Sequence, residues 1–236
     1  MSEFLWQNGP VFIQTEHFKI STDSVLLANF VNLSTVKKAV DLGCASGIIG
    51  LILLCRSEKL SLTGIEILPE AAEIARENLE KNGFSGRSNV ILGDIRDYKS
   101  LLTSGSFDLV VSNPPYFPVG SGKLSPDEAK AGARFERDCS LTDICRAAAF
   151  LCRSGGKFAL VHRPDRLSEI FVSMTAAGFE PKRLRMVQHT ALSEPGLVLV
   201  EGRRDGKPGL KIEKPLILYN PDGTETDEVR QIYRRE

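Results

Sequence analysis

Residues 112–117, SNPPYF, set an amide, two prolines and two aromatic rings directly behind an aliphatic run, FDLVV (107–111). Consecutive prolines cannot continue a helix or pair inside a central strand, so a buried strand must end there on a rigid corner. Such a corner suits one chemical problem. An amino group conjugated to a ring is a poor nucleophile, because its lone pair is delocalised. The side-chain oxygen of Asn113 can accept one N–H of that amine, and the Pro114 carbonyl can accept the other. Two acceptors held in those directions pull the nitrogen toward a tetrahedral shape and localise the lone pair. Pro114 and Pro115 keep the corner from reorganising, which is how preorganised polar groups lower a barrier. Tyr116 adds a ring face on which a planar aromatic amine can stack. The amine becomes acidic only once it is alkylated, so no neighbouring histidine is required. By itself the corner also reads as a stiff strand-ending turn with an aromatic staple.

A second motif raises the functional reading. VDLGCASGIIGL (40–51) puts Asp41, Gly43 and Gly47 between an aliphatic strand and an apolar helix, where small residues let a ligand approach the backbone closely. Glu66 closes the next strand and can accept from both hydroxyls of a ribose. Asp94 closes the third and can accept from an adenine amino group. Each acid alone reads as a surface carboxylate, but the carboxyl ends of three consecutive strands converge on one crevice in a doubly wound sheet. A nicotinamide dehydrogenase would want G-x-G-x-x-G; here the spacing is D-x-G-x-x-x-G, and Asp41 stands where a pyrophosphate would be repelled. A cationic, phosphate-free nucleoside fits better. S-adenosylmethionine has adenine, ribose, an amino group and a sulfonium.

These residues need a scaffold, and the pattern supplies one. From residue 37 short aliphatic runs alternate with amphipathic segments, as in β-α-β units around a parallel sheet. Strands are expected at 37–43, 60–67, 89–94, 107–113, 157–161, 183–188 and 197–201, the last two as a hairpin-like pair. Helices are expected at 47–56, at 69–83 (Pro69 in the first turn, Gly83 as stop), at 140–153 with Ser140 as N-cap, and at 163–178 closed by Gly178. A turn is expected at Gly155-Gly156. Ahead of this core lie two short strands, VFIQT and FKI, and a helix, TDSVLLANFVN, for which Thr22 and Asp23 are N-cap candidates. Residues 119–138 lack apolar periodicity and read as a long loop behind the Pro-Pro corner, where lids belong. The expected division is a flap at 1–36, an α/β doubly wound, seven-stranded Rossmann-like core at 37–214, and a tail at 215–236.

Composition excludes several classes. At 236 residues and 25.9 kDa, with 42% hydrophobic and 25% charged residues, the chain suits one soluble α/β domain with additions. No window approaches a membrane span, and MSEFLWQNGP lacks the regions of a signal peptide, so a cytoplasmic location is expected. Five cysteines without a CxxC pair read as reduced core thiols, and three scattered histidines make no metal site. Basic and acidic residues cancel at 30 each, but 181–214 holds Lys182, Arg183, Arg185 and five further basic residues against four acids. That stretch reads either as a solvated loop surface or as a phosphate-facing edge.

VDLGCASG, GIEI, GDI and SNPPYF, in that order, resemble a class I S-adenosylmethionine-dependent methyltransferase, and the NPPY corner resembles the motif of its amino-methyltransferases. More narrowly, FKISTDSVLLANF (18–30) with NPPYF and ARFE (133–136) is similar to the bacterial tRNA1(Val) adenine-37 N6-methyltransferase family. The resemblance covers roughly residues 18–200 and implies the Rossmann-like methyltransferase sheet. It implies S-adenosylmethionine bound by Asp23, Asp41, Gly43, Ala45, Gly47, Glu66, Ile67, Asp94, Ile95 and Asn113, with the helix bearing Asp23 closing over it. Asn113, Pro114, Pro115 and Tyr116 would carry the transfer. Phe117, Arg134, Lys182, Arg183 and Arg185 would face RNA, and Arg134 and Glu136 would order around the substrate. Trp6 reads as a plug of the flap rather than a base-stacking ring.

Adenine N6, guanine N2 and a glutamine amide all present a planar NH2. Forty residues ahead of Asp41 are too few for the helical domain of release-factor methyltransferases, and neither the extra RNA-binding domain of many guanine-N2 enzymes nor a DNA target-recognition domain is visible. The expected substrate is therefore a structured RNA, most simply tRNA, with one base flipped into the corner. A small-molecule amine and a non-catalytic RNA-binding role on the same fold are the alternatives. Neither a metal nor a membrane is expected, and the oligomeric state is left between monomer and weak dimer. The C-terminal YNPDGTETDEVRQIYRRE departs from any RNA-binding motif.

Overall fold

A computed structural model describes residues 2–15, 19–114 and 139–235. Strands β1 (Ser2–Phe4) and β2 (Val11–Ile13) form a small antiparallel hairpin, followed by helix α1 (Thr22–Phe30). The core then runs β3 (Lys38–Leu42), α2 (Ile48–Arg56), β4 (Ser61–Glu66), α3 (Pro69–Lys81), β5 (Ser88–Leu92), a helical turn α4 (Tyr98–Leu101) and β6 (Phe107–Ser112). After the undescribed stretch come α5 (Leu141–Leu151), β7 (Cys152–His162), α6 (Leu167–Ala176), β8 (Phe179–Gln188), β9 (Pro195–Arg204), β10 (Lys211–Ile212), β11 (Leu216–Ile217) and α7 (Asp227–Ile232).

The seven long strands lie in the order β5-β4-β3-β6-β7-β9-β8, with β10 and β11 both paired to the outer edge of β8. All neighbours in the main sheet are parallel except β9, which is antiparallel to both β7 and β8. Chain order reverses between β3 and β6, and that is where an open α/β sheet leaves a crevice at its carboxyl edge. Both faces of the sheet are covered, so its strands read as nearly continuous aliphatic runs. Period-two alternation sorts them into two cores. Ala39, Leu109, Val111, Ala159 and Val161 pack with α1, α2 and α3. Val40, Val110, Phe158 and Leu160 point the other way, onto α5 and α6.

Local chemistry explains the boundaries. Pro69 begins α3, and α5 carries a full capping box in which Ser140 Oγ accepts from the Asp143 N–H while the Asp143 carboxylate accepts from the Ser140 N–H. At α1 the N-cap is Ser21, not Thr22 or Asp23. Ser21 has extended backbone (φ −96°, ψ 140°) and its Oγ accepts the Ser24 N–H, which places Thr22 and Asp23 inside the first turn. Gly155 and Gly156 are not a turn either. They lie within β7, whose register against β6 shifts between Phe107 and Leu109, and Gly155 takes φ +71° at that irregularity. Of the FKI segment, Lys19 and Ile20 form no strand and Phe18 lies outside the described residues.

The ends of the chain pack onto the core. The N–H groups of Val11 and Ile13 donate to the side-chain oxygens of Asn82, the C-cap of α3, and Asn78 within it, at 2.9 and 2.7 Å. From the C-terminal side, Tyr233 packs against the core formed by α1 and α2, and Arg234 lies over the Trp6 ring at 4.3 Å. Trp6 is thus a packed plug of the flap, boxed in also by Gly9. Cys44, Cys139, Cys145 and Cys152 are buried and Cys55 half-buried, none in a disulfide.

Candidate active site at the reversal point of the sheet

The turn leaving β3 is left-handed at three positions: Gly43 (φ +76°), Ala45 (φ +45°) and Gly47 (φ +83°). Successive N–H groups of Gly43 and Cys44 donate to the Ile65 carbonyl at 2.9 and 3.0 Å, tying the turn to the end of β4. Glycine is required at Gly47 on two counts. Its φ lies in the left-handed region, and a Cβ would sit 3.2 Å from Ala75 Cβ and 3.3 Å from Ala75 Cα, where α2 starts against α3. Ala45 tolerates its own left-handed backbone because its N–H is held by Glu66 Oε2 at 2.8 Å. The other oxygen of Glu66 accepts the Leu68 N–H at 2.9 Å.

Asp41, next to last in β3, is fully buried, and neither of its carboxyl oxygens has a hydrogen-bond partner. Burial, and next the charge of Glu66, push its pKa up to about 8. The backbone of Asp41 is in register with Val111 on β6, and Ser112 Oγ donates to the Leu42 carbonyl at 2.9 Å, which clamps the two strand ends together. Asn113 follows. Its Nδ2 donates to Ser24 Oγ on α1 at 3.0 Å, while its buried Oδ1 has no partner. Among the described residues, the buried side-chain polar atoms left without a partner are these three, and all belong to the adjoining ends of β3 and β6. Orphaned buried acceptors are costly and mark a place where a ligand completes the hydrogen bonding.

The remaining residues expected at the site fall around this point. Asp94 follows β5 and caps the next turn, its carboxylate paired with Arg96 (Nε to Oδ1, 3.0 Å), and hydrogen bonding from Arg96 lowers its pKa. An adenine amino group would therefore share this carboxylate with an arginine. Ile67 is 42% exposed beside Glu66, whereas Ile95 is buried next to the position a Gly43 Cβ would take. Asp23 sits in the first turn of α1, one residue from Ser24, and burial raises its pKa. Pro114 is buried at the corner. Pro115, Tyr116, Phe117, Arg134 and Glu136 lie outside the described residues.

The basic stretch is placed elsewhere and does something else. Arg183 and Arg185 are on β8, three strands from β6. Arg183 donates to Glu213 at 2.9 Å, to Glu201 at 3.3 Å and to the Phe30 carbonyl, and its guanidinium covers the Phe30 ring. Arg185 makes a two-pronged pair with Glu228 on α7, both bonds 2.7 Å, and donates to the Lys214 carbonyl. Lys182 Nζ donates to the Lys207 carbonyl. These side chains hold α1, β9 and the C-terminal segment together. Arg183 and Arg185 are thus engaged in ion pairs whose acids, Glu201, Glu213 and Glu228, are distant in sequence.

Ser24 and Ser21 were not among the expected site residues. The signal was present as S-T-D-S, two serines three apart at a helix start, but nothing local indicates that the helix meets Asn113, 89 residues away. Among the described residues no cluster of three or more His, Cys, Asp or Glu side chains could hold a metal ion, and no helix is long and apolar enough to cross a membrane.

The arrangement can therefore seat a cation beside Asp41, hydroxyls on Glu66 and an N–H donor on Asn113. Comparison with known proteins points the same way. The family model described as methyltransferase small domain matches residues 5–168. A protein of Porphyromonas gingivalis named tRNA1(Val) (adenine(37)-N6)-methyltransferase is 35% identical over 192 residues, covering 78% of this chain and 74% of its own. The protein of that name from Tolumonas auensis is 30% identical over 211 residues, 89% and 86% of the two chains. Among solved structures, a predicted O-methyltransferase from Agrobacterium tumefaciens superposes with TM-score 0.75 at 24% identity over 91% of this chain and 96% of that one, a likeness of fold.

Proposed function

The chain belongs to the methyltransferase small domain family, and from that premise we propose that it methylates N6 of an adenine in tRNA with S-adenosylmethionine as donor. The observation that carries this reading is the pairing of the two orphaned groups. An uncompensated carboxylate, Asp41, and an uncompensated amide oxygen, Asn113 Oδ1, stand at neighbouring strand ends on the crevice of the sheet.

The residues present fit the donor. Asp41 ionises against a cationic ligand, giving up its proton, and has no positive charge to offer a pyrophosphate. Each oxygen of Glu66 accepts one backbone N–H and keeps a second acceptor site for a ribose hydroxyl. The glycine turn leaves the backbone open to close approach, and Ile67 and Ile95 supply apolar surface for an adenine ring. When bound, S-adenosylmethionine supplies an electrophilic methyl group on a sulfonium.

The chain's own work is on the amine. Asn113 Oδ1 accepts one N–H of the target amino group, and the Pro114 carbonyl accepts the other. Each hydrogen bond draws the nitrogen out of conjugation and turns its lone pair toward the crevice. Buried acceptors that need no rearrangement do this best, since they were desolvated on folding. Tyr116 is proposed to stack on the flipped base.

The test is nucleoside mass spectrometry of total tRNA from a strain lacking the gene, its parent, and the strain complemented with wild type or Asn113→Ala. N6-methyladenosine should disappear on deletion and return only with wild type. An unchanged tRNA profile would overturn the reading.

A further inference from the structure

An asparagine serves as an acceptor only if its amide faces the right way, and its oxygen and nitrogen ends are nearly the same shape. Turned over, Asn113 would present an NH2 to an NH2, and no lone pair would be localised. We propose that Ser24, backed by Ser21, is the positioning residue that fixes this orientation, so that helix α1 sets the polarity of the amine-binding corner. This inference rests on the function proposed above.

The geometry is a short relay. Ser21 Oγ accepts the backbone N–H of Ser24 at 3.2 Å, so one of its lone pairs is committed and its proton is directed onward. It donates to Ser24 Oγ at 2.9 Å. Ser24, itself buried, accepts on that side and also accepts from Asn113 Nδ2 at 3.0 Å. With Nδ2 anchored to α1, Oδ1 is the end left over, and it is the end without a partner. The cap of the helix thus does double duty: the same hydroxyl that caps the start of α1 donates to the hydroxyl that orients Asn113. Because Ser24 and Asn113 come from elements far apart in sequence, the corner has its proper polarity only when α1 is docked.

The relay makes Ser24 a group that touches neither donor nor amine, and the experiment must separate orientation from stability. Single-turnover methylation of unmodified tRNA, calorimetric cofactor affinity, and the side-chain amide resonances of Asn113 in 15N-labelled protein (assigned with Asn113→Ala) are measured together. Ser24→Ala should lower the single-turnover rate constant about 10–100-fold, the range seen when a group supporting a primary contact is removed, with cofactor affinity unchanged. The two Asn113 Nδ2 proton resonances should shift and broaden. Ser24→Thr, which keeps the hydroxyl, should restore rate and resonances. Ser21→Ala, which leaves Ser24 in place, should change both in the same direction by less, and it serves if Ser24→Ala fails to fold. A wild-type rate with unmoved Asn113 resonances in these variants would overturn the relay while leaving the function intact. Full activity in Asn113→Ala would instead bring down the function itself.

Discussion

Glu66 Oε2 accepts the N–H of Ala45 at 2.8 Å, so the acid that ends β4 also holds the turn that follows β3. Together with the bond from Leu68 to Oε1, this locks the carboxylate with both oxygens oriented and one acceptor site free on each. The carboxylate is therefore preorganised for a diol and structural for the turn at once.

Glu66→Gln is accordingly not a conservative change. An amide has one acceptor oxygen, and its NH2 would face the N–H of either Ala45 or Leu68. Cofactor affinity should fall about 10–100-fold, as expected for losing hydrogen bonds to a charged group worth about 1.5–3 kcal/mol. Calorimetry of S-adenosylmethionine binding measures it; an unchanged Kd would remove Glu66 from the ribose.

Asp41 makes the cofactor-free protein sensitive to pH. The carboxyl ordinarily releases its proton near 3.8, but folded it holds on up to about 8. Between those values the native state carries a proton that the unfolded chain has lost, so this group's contribution to stability falls as pH rises through the window and is level above it. Melting temperatures from about pH 5 to about pH 8 should drop more steeply for wild type than for Asp41→Asn. A cationic ligand favours the carboxylate, so binding near neutral pH should release a proton. Calorimetry in buffers of different ionisation enthalpy reads that release, and Asp41→Asn should abolish it.

Asn113→Ala removes the amide acceptor without touching the cofactor turn. Transfer to tRNA should fall about 100–1,000-fold, the cost of deleting one preorganised polar contact at a reacting centre, while cofactor affinity stays nearly intact. Equal losses in both would contradict the role given to Asn113.

What the sequence disclosed and withheld follows from where each signal is written. The strands of the sheet and the acids at their ends were legible because aliphatic runs, glycine turns and strand-end positions are local. Even so, β7 runs through Gly155 and Gly156, which look like a turn and form an irregularity instead, since pairing with β6 and β9 holds both flanks. The roles of Ser24 and Arg183 were not legible. Each depends on a partner brought in by tertiary packing, Asn113 in one case and Glu201, Glu213 and Phe30 in the other. The short strands β10 and β11 and helix α7 were missed for a related reason: they are held by β8 and α1, with little apolar periodicity of their own.

The turn into α2 offers a stability test. Gly47→Ala imposes a side chain on φ +83° and presses its Cβ against the backbone of Ala75. Backbone strain of this kind costs about 1–3 kcal/mol. In a domain of this size that corresponds to a loss of roughly 2–10 °C in melting temperature. Calorimetry or circular dichroism checks it, and an unshifted Tm would mean the turn relaxes freely.

Arg183 separates a structural base from a phosphate-binding one. Its guanidinium lies on Phe30, donates to the Phe30 carbonyl, and answers Glu201, which is buried, and Glu213. Arg183→Gln strands a buried carboxylate, and breaking such a pair should cost about 2–4 kcal/mol, somewhat below the range for fully buried pairs because Arg183 keeps partial access to water. A residue that neutralises a phosphate behaves differently: its loss reduces the slope of log affinity against log salt by about 1. The variant should therefore unfold at lower denaturant while its tRNA-binding salt slope stays that of wild type. A reduced slope at unchanged stability would return Arg183 to the RNA surface and show that its ion pairs open to meet the backbone.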